Sequence, residues 1–298
     1  MLMEANQKTI LKEGRISGTG LHSGKICEVF FKPGAAGTGI HFFKAGRSIG
    51  VVGSGDTAFS HEGVARCSAI GSGDLRVLTV EHLLAAIYGL GISNLAVDVH
   101  GEEIPGVDGS ALPFVELFRK LGIADQKEKR AAYRVSEPIF CHENGKAISI
   151  YPSERFEVSY CLDYDYPGLR NQKAEYTISS EIFESQIAPC RTFCTQDEAR
   201  ELKQRGFGLG GTPENNIIVS PDGSHEKGLR FPDECVRHKI LDVVGDLSLL
   251  GFPVLGKVIG IRSGHSLNRK LVQEIRRQKE AMENKKEGKK KDFLMDIE

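Results

Sequence analysis

Apolar and polar positions along this chain fall into two alternating regimes. The opening run "KTILKEGRISGTGLHSGKICEVFFKPG" alternates apolar and polar residues between glycines. That is the period-two pattern of short strands joined by turns. "GIHFFKAG" reads the same way. In "TVEHLLAAIYGLG" the period changes. Leu83, Leu84, Ala86, Ile87 and Leu90 recur at helical spacing, with Thr79 as a cap and Gly89 and Gly91 as terminators. "NLAVDVHG" returns to a strand. "SALPFVELFRKLGI" predicts a second helix, with Ser110 as its N-cap and Pro113 in its first turn.

The polar stretch Ala124 to Arg134, "ADQKEKRAAYR", reads as a linker. Beyond it the element order repeats. Strands in "KAISIYPS" and "FEVSYCLDY" precede a helix in "TQDEARELKQRG" and a strand in "NNIIVS". The helix "VRHKILDVVGDL" follows, then a strand in "VLGKVIGIRSG" and a last helix in "HSLNRKLVQEIRRQKEAM". The pattern predicts an α+β protein of two similar domains, residues 1–127 and 128–280. Residues 281–298 read as a charged, disordered tail.

Composition narrows the partners. With 298 residues, 40% of them hydrophobic and 27% charged, the chain has the make-up of a globular protein in water. A formal net charge of -1 gives no basic field, so nucleic acid is not an expected partner. No apolar run approaches the ~20 residues that span a bilayer, so at most a peripheral approach to a membrane is expected. The N-terminus shows no export-signal pattern, and the chain reads as a cytoplasmic monomer. Its 7 cysteines include no CxxC pair and read as reduced thiols.

The candidate chemistry starts in "VRHKILDVVGDL". His238, Asp242 and Asp246 recur every four residues, so they share one helix face. Taken alone, such a His–Asp spacing is better read as a hydrogen-bonded pair on a solvated surface. Here the rest of the helix is apolar enough to be buried, and inward polar groups then need partners. Arg237 and Lys239 flank the pair as cations for an anionic substrate. His238 and Asp242 are two ligands, and a catalytic zinc takes three protein ligands while keeping one position open. His82 in "TVEHLLAA" is the best third donor. Glu81 beside it suits a water-activating hydrolase, because a carboxylate within reach can take a proton from water. In isolation Glu81 is also a favourable charge in a first helical turn.

His265 in "RSGHSLN" follows a glycine at a strand-to-helix junction and is free to project, either as a helix N-terminal residue with no other role or as a general acid for a leaving amine. Asp246 is its natural partner. In "CRTFCT", Thr192 can donate to an oxyanion and Phe193 can present a ring to a sugar or acyl chain, but on spacing alone strand packing is the better reading of the segment. "GFGLGGTPENN" has no P-loop lysine and reads as a loop with unusual backbone angles lining a groove.

Together "TVEHLLAAIYGLGISN", "EIPGVDGSALPF", "RTF", "GLGGT", "GLRFPDECVRHKILDVVGDL" and "GHSLNRKLV" resemble the zinc-dependent UDP-3-O-acyl-N-acetylglucosamine deacetylases of lipid A biosynthesis. The resemblance runs from about residue 8 to about residue 275. It implies two α+β domains with helices packed between two sheets, a β-α-α-β sandwich. It implies removal of the N-acetyl group from a UDP-linked, 3-O-acylated glucosamine. It assigns His82, His238 and Asp242 to zinc, or to Fe2+, which accepts the same ligands. It assigns Glu81 as general base, His265 as general acid, Asp246 as its support and Thr192 as oxyanion donor. Lys239 and Phe193 become substrate contacts, and the Gly208 to Thr212 loop, with Gly210 and Gly211, the acyl-chain passage. The chain departs from the family at Gly106, where a larger apolar residue is usual, and in "VARCSAIGSGD". Two other readings share these residues: a zinc amidohydrolase of another small amide, and a non-catalytic module stapled by zinc.

Overall fold

The computed structural model describes residues 5–53 and 66–295, with side chains as far as residue 285. Its α-helices are α1 (Glu81–Gly89), α2 (Leu112–Leu121), α3 (Ser180–Ile182), α4 (Gln196–Gln204), α5 (Glu234–Ser248) and α6 (His265–Met295).

Two sheets repeat one topology. The first orders its strands Gly14–Thr19, Ile26–Pro33, Leu95–His100, Ile40–Lys44 and Arg47–Val51. The second has the path Ile139–Glu143, Lys146–Tyr151, Val254–Ile261, Phe156–Leu162 and Gln172–Thr177. In each, two antiparallel hairpins flank a central strand that comes last in the chain. That strand is antiparallel to the first hairpin and parallel to the second. Each central strand follows one buried helix (α1 or α5) and precedes another (α2 or α6).

The alternation explains which faces pack. Phe156–Leu162 buries every second residue, among them Val158 and Tyr160. Ile26–Pro33 turns Val29 and Phe31 inward in the same way. α1 and α5 have no such polar side. Their buried residues lie all round the helix, as expected of helices enclosed on every side. Both contribute to one hydrophobic core that joins the two sheets.

Four expectations change. Ala124 to Arg134 is no linker: Ile123–Arg130 is a strand paired antiparallel with Ala5–Ile10, and Tyr133–Arg134 runs parallel to Val254 and Leu255. The two-stranded ribbon is mostly solvated, so its lysines and glutamates hide it from a hydrophobic pattern. The segment read as a disordered tail is helical as far as Met295, because lysine and glutamate are good helix formers and pair at i,i+4, as Lys279 and Glu283 do. Thr79 does not cap α1; Val80 occupies that position. Ala111, not Ser110, is the N-cap of α2, although Ser110 Oγ still accepts from the Leu112 N–H at 3.2 Å. The departure at Gly106 is explained by packing, since a Cβ there would meet Leu21 Cγ at 2.4 Å. Val64 and Ala65 of "VARCSAIGSGD" lie outside the described residues.

Candidate active site

α1 begins on a strained turn. Thr79, β-branched, has φ +56, where only glycine is comfortable. Its Oγ1 donates to Glu103 Oε1 at 2.8 Å. Glu103 is fully buried and also accepts from the backbone N–H groups of His22 and Ser23, at 2.9 and 2.8 Å. The turn thereby places Glu81 and His82 in the first turn of α1, directly against α5. Gly245 makes that contact possible: a Cβ there would lie 2.2 Å from the Glu81 carbonyl oxygen.

His82, His238 and Asp242 meet at this contact. One ligand atom from each lies within 4.8 Å of the others, and all three residues are buried. The His82 and His238 rings stand nearly perpendicular, 5.0 Å between centroids. His238 Nδ1 lies 2.9 Å from the Cys190 carbonyl oxygen, so that nitrogen carries the proton and Nε2 keeps its lone pair. Nε2 faces Asp242 Oδ1 at 3.3 Å. That oxygen is buried and has no hydrogen-bond partner. Two buried acceptors therefore face each other, an arrangement that a cation between them satisfies.

The protonation states suit ligation. Burial, with His238 beside it, pushes the His82 imidazole down to about 3. Burial also lowers His238. Burial alone would raise Asp242, but Lys239 and the surrounding histidines outweigh it and hold the carboxyl well below its usual range. Lys239 Nζ sits 2.6 Å from Asp242 Oδ2, so it braces the carboxylate as well as lining the cavity.

His265 approaches from the start of α6. Its Nδ1 is 2.8 Å from Asp246 Oδ2, and its Nε2 is 3.7 Å from Glu81 Oε1 and 3.9 Å from Asp242 Oδ2. Burial would lower this imidazole, but Asp246, Asp242 and Glu81 together raise it to about 9. Burial pushes the Glu81 carboxyl up to about 8, against the nearby His265. Both groups are thus raised, one by its carboxylate neighbours and the other by burial, so a cationic imidazole and a carboxyl held in its neutral form share one site.

A cavity of about 550 Å³ opens onto these groups. Thr192, Phe193, Lys239, Gly208 and Gly211 line it. Phe193 presents its ring edge-on to His238, 6.4 Å between centroids. Gly210 is not among the lining residues. Its N–H donates to the Leu21 carbonyl at 3.1 Å, and a Cβ would lie 2.2 Å from the Gly20 oxygen, so it fastens the loop instead. Gly206 and Gly208 have φ of +78 and +67, the unusual angles expected of that loop. Arg237 does not face the site: it pairs with Asp233 at 2.7 Å and lies over the Phe231 ring.

Pattern reading missed several residues that the fold brings in. Ser68, fully buried, bonds both Glu81 and Asp246. Asn268 Nδ2 donates to Asp246 Oδ2 at 2.8 Å. His22, Arg66, Tyr164, Lys146, Arg262 and Arg269 also line the cavity. None has a spacing signal, because each is defined by tertiary approach, even where it lies beside a recognised site residue, as Asn268 does three residues after His265.

A buried His/His/Asp set, a raised carboxyl and an Asp-tethered imidazole around one cavity define a hydrolase with a metal-binding site. Residues 7–277 match the family model of UDP-3-O-acyl N-acetylglycosamine deacetylase, LpxC. The chain is 38% identical over 271 residues to the UDP-3-O-acyl-N-acetylglucosamine deacetylase of Anaeromyxobacter sp. (strain Fw109-5), covering 91% of this chain and 88% of that protein. It is 40% identical over 271 residues to the protein of that name from Geobacter sp. (strain M21), covering 90% of this chain and 88% of the relative. The chain belongs to the UDP-3-O-acyl N-acetylglycosamine deacetylase family, and is a hydrolase of an amide bond.

Proposed function

We propose that the protein hydrolyses the N-acetyl group of UDP-3-O-acyl-N-acetylglucosamine, giving UDP-3-O-acyl-glucosamine and acetate, the committed step of lipid A biosynthesis in the cytoplasm. The family and the names of its relatives support this substrate. The observation that carries the chemistry is the facing of His238 Nε2 and the unpartnered Asp242 Oδ1 at 3.3 Å, beside His82.

His82, His238 and Asp242 would hold the ion, Zn2+ or Fe2+. Two neutral imidazoles and a carboxylate are a donor set for either metal. Such an ion supplies positive charge that polarises the amide carbonyl, acidifies water and favours the ionised form of the nearby Glu81.

The chain's own groups do the rest. Glu81 takes a proton from the attacking water. Thr192 donates a hydroxyl hydrogen bond to the oxyanion. His265, held as imidazolium by Asp246, gives its proton to the departing amine nitrogen as the C–N bond breaks. Water thus supplies OH to acetate and H to the amine. Lys239 meets the substrate from α5, Phe193 packs against the sugar, and the loop fastened by Gly210 and lined by Gly211 borders the acyl chain. Acetate release from UDP-3-O-acyl-N-acetylglucosamine tests the reading; failure to release acetate contradicts it.

A further inference from the structure

Ser68 commits every polar group it has. Its N–H donates to Glu81 Oε2 at 3.0 Å. Its Oγ–H donates to Asp246 Oδ1. Its carbonyl accepts from the Val80 N–H at 3.2 Å, at the N-terminus of α1. The residue is 1% exposed, so water does not compete for these bonds.

The two carboxylates belong to different halves of the molecule, Glu81 to α1 and Asp246 to α5. Asp246 is completely buried. Its Oδ2 accepts from His265 Nδ1 and from Asn268 Nδ2, both at 2.8 Å. Its Oδ1 takes the Ser68 hydroxyl. Ser68 Oγ is also 3.4 Å from His265 Nδ1, and His265 Nε2 returns to Glu81 Oε1 at 3.7 Å. The result is a closed ring: Ser68, Glu81, His265, Asp246 and back to Ser68. Without the hydroxyl, Asp246 Oδ1 becomes an unpaired buried oxygen, and the carboxylate is free to turn away from His265.

We propose that Ser68 is a positioning residue that ties Glu81 to the Asp246–His265 pair, so that the proton acceptor and the proton donor keep one mutual geometry. It acts through those groups and touches no substrate. The proposal rests on the roles given above to Glu81 and His265.

The test is Ser68→Ala, which removes the hydroxyl and keeps the N–H. Turnover of UDP-3-O-acyl-N-acetylglucosamine should show kcat lowered about tenfold or more with KM nearly unchanged, since misaligned proton transfer forfeits part of a 10²–10⁴-fold contribution. Adding Ser68→Ala to Asp246→Asn should cost little more than Asp246→Asn alone, because the two act as a unit. A role in stability alone would lower the melting temperature and leave kcat and this coupling untouched. Independently of activity, the downfield His265 Nδ1–H proton resonance should shift or vanish in Ser68→Ala. Ser68→Cys, nearly isosteric, gives the same readouts if the alanine variant does not fold. A kcat within twofold of the unmodified protein, or an unchanged His265 resonance, overturns the proposal. Absence of acetate release by the unmodified protein instead counts against the assigned substrate, and the resonance still decides the role of Ser68.

Discussion

Gly245 of α5 stands so close to Glu81 of α1 that a Cβ on it would lie 2.2 Å from the Glu81 carbonyl oxygen. This contact between the two halves brings His82 from one helix to His238 and Asp242 on the other. A glycine inside a helix costs about 1 kcal/mol relative to alanine, so its presence there reflects the approach it permits.

Gly245→Ala should therefore weaken the protein despite its better helix propensity. Overpacking of this kind costs about 1–3 kcal/mol. Metal affinity should fall with it, because His82 is pushed away from His238 and Asp242. Thermal unfolding and metal titration measure both effects. An alanine variant more stable than the original, with metal affinity intact, contradicts the role given to this contact.

The segment carrying Thr192 and Phe193 is anchored by Arg191, whose side chain and backbone N–H bond the fully buried Glu234 at 2.9 Å. Burial would raise the Glu234 carboxyl, but Arg191 and the backbone N–H of Arg230 outweigh it and hold it below the usual carboxylate range. A depressed carboxylate stabilises the fold above its unfolded value, and this contribution fades as pH falls through the folded value. Urea midpoints should therefore hold near neutrality and drop below about pH 4, with a smaller acid-side drop in Glu234→Gln. At neutral pH, Glu234→Ala should cost about 3–5 kcal/mol, the usual effect of orphaning a buried partner. An unchanged midpoint for Glu234→Ala argues against the anchor.

His238→Ala should release the metal, and Asp242→Asn should weaken its binding. Asp242→Asn also strips the charge partner from Lys239, now 2.6 Å away, so substrate binding should change with it. Metal analysis of the purified variants decides the matter. A His238→Ala protein that retains stoichiometric metal sinks the ligand assignment.

Glu81→Ala and His265→Ala should each lower kcat by about 10²–10⁴ while the metal stays bound, the range expected for loss of a proton-transfer group. Metal content and steady-state rates, measured on the same samples, separate the two roles from ligation. Loss of metal from either variant would place that residue among the ligands.

Much of this site was legible in the chain. Helical periodicity puts His238, Asp242 and Asp246 on one face, and an apolar surround requires inward polar groups to be paired. Glu81–His82 at a helix start and His265 after a strand carried similar local signals. Ser68, His22 and Arg66 carried none, because tertiary approach alone gives them a role. Arg237 misled for the same reason: its pairing with Asp233 and Phe231 is a matter of packing. The Ile123–Arg130 strand was hidden by its solvated ribbon, in which charge replaces the apolar alternation that marks a strand in a core.

The most direct test of the central claim is acetate release from UDP-3-O-acyl-N-acetylglucosamine before and after removal of metal. The site predicts release by the untreated protein, loss after exhaustive chelation, and recovery when Zn2+ or Fe2+ is returned, with His238→Ala failing to recover. Undiminished release from metal-free protein would contradict the assignment of His82, His238 and Asp242 to a catalytic metal.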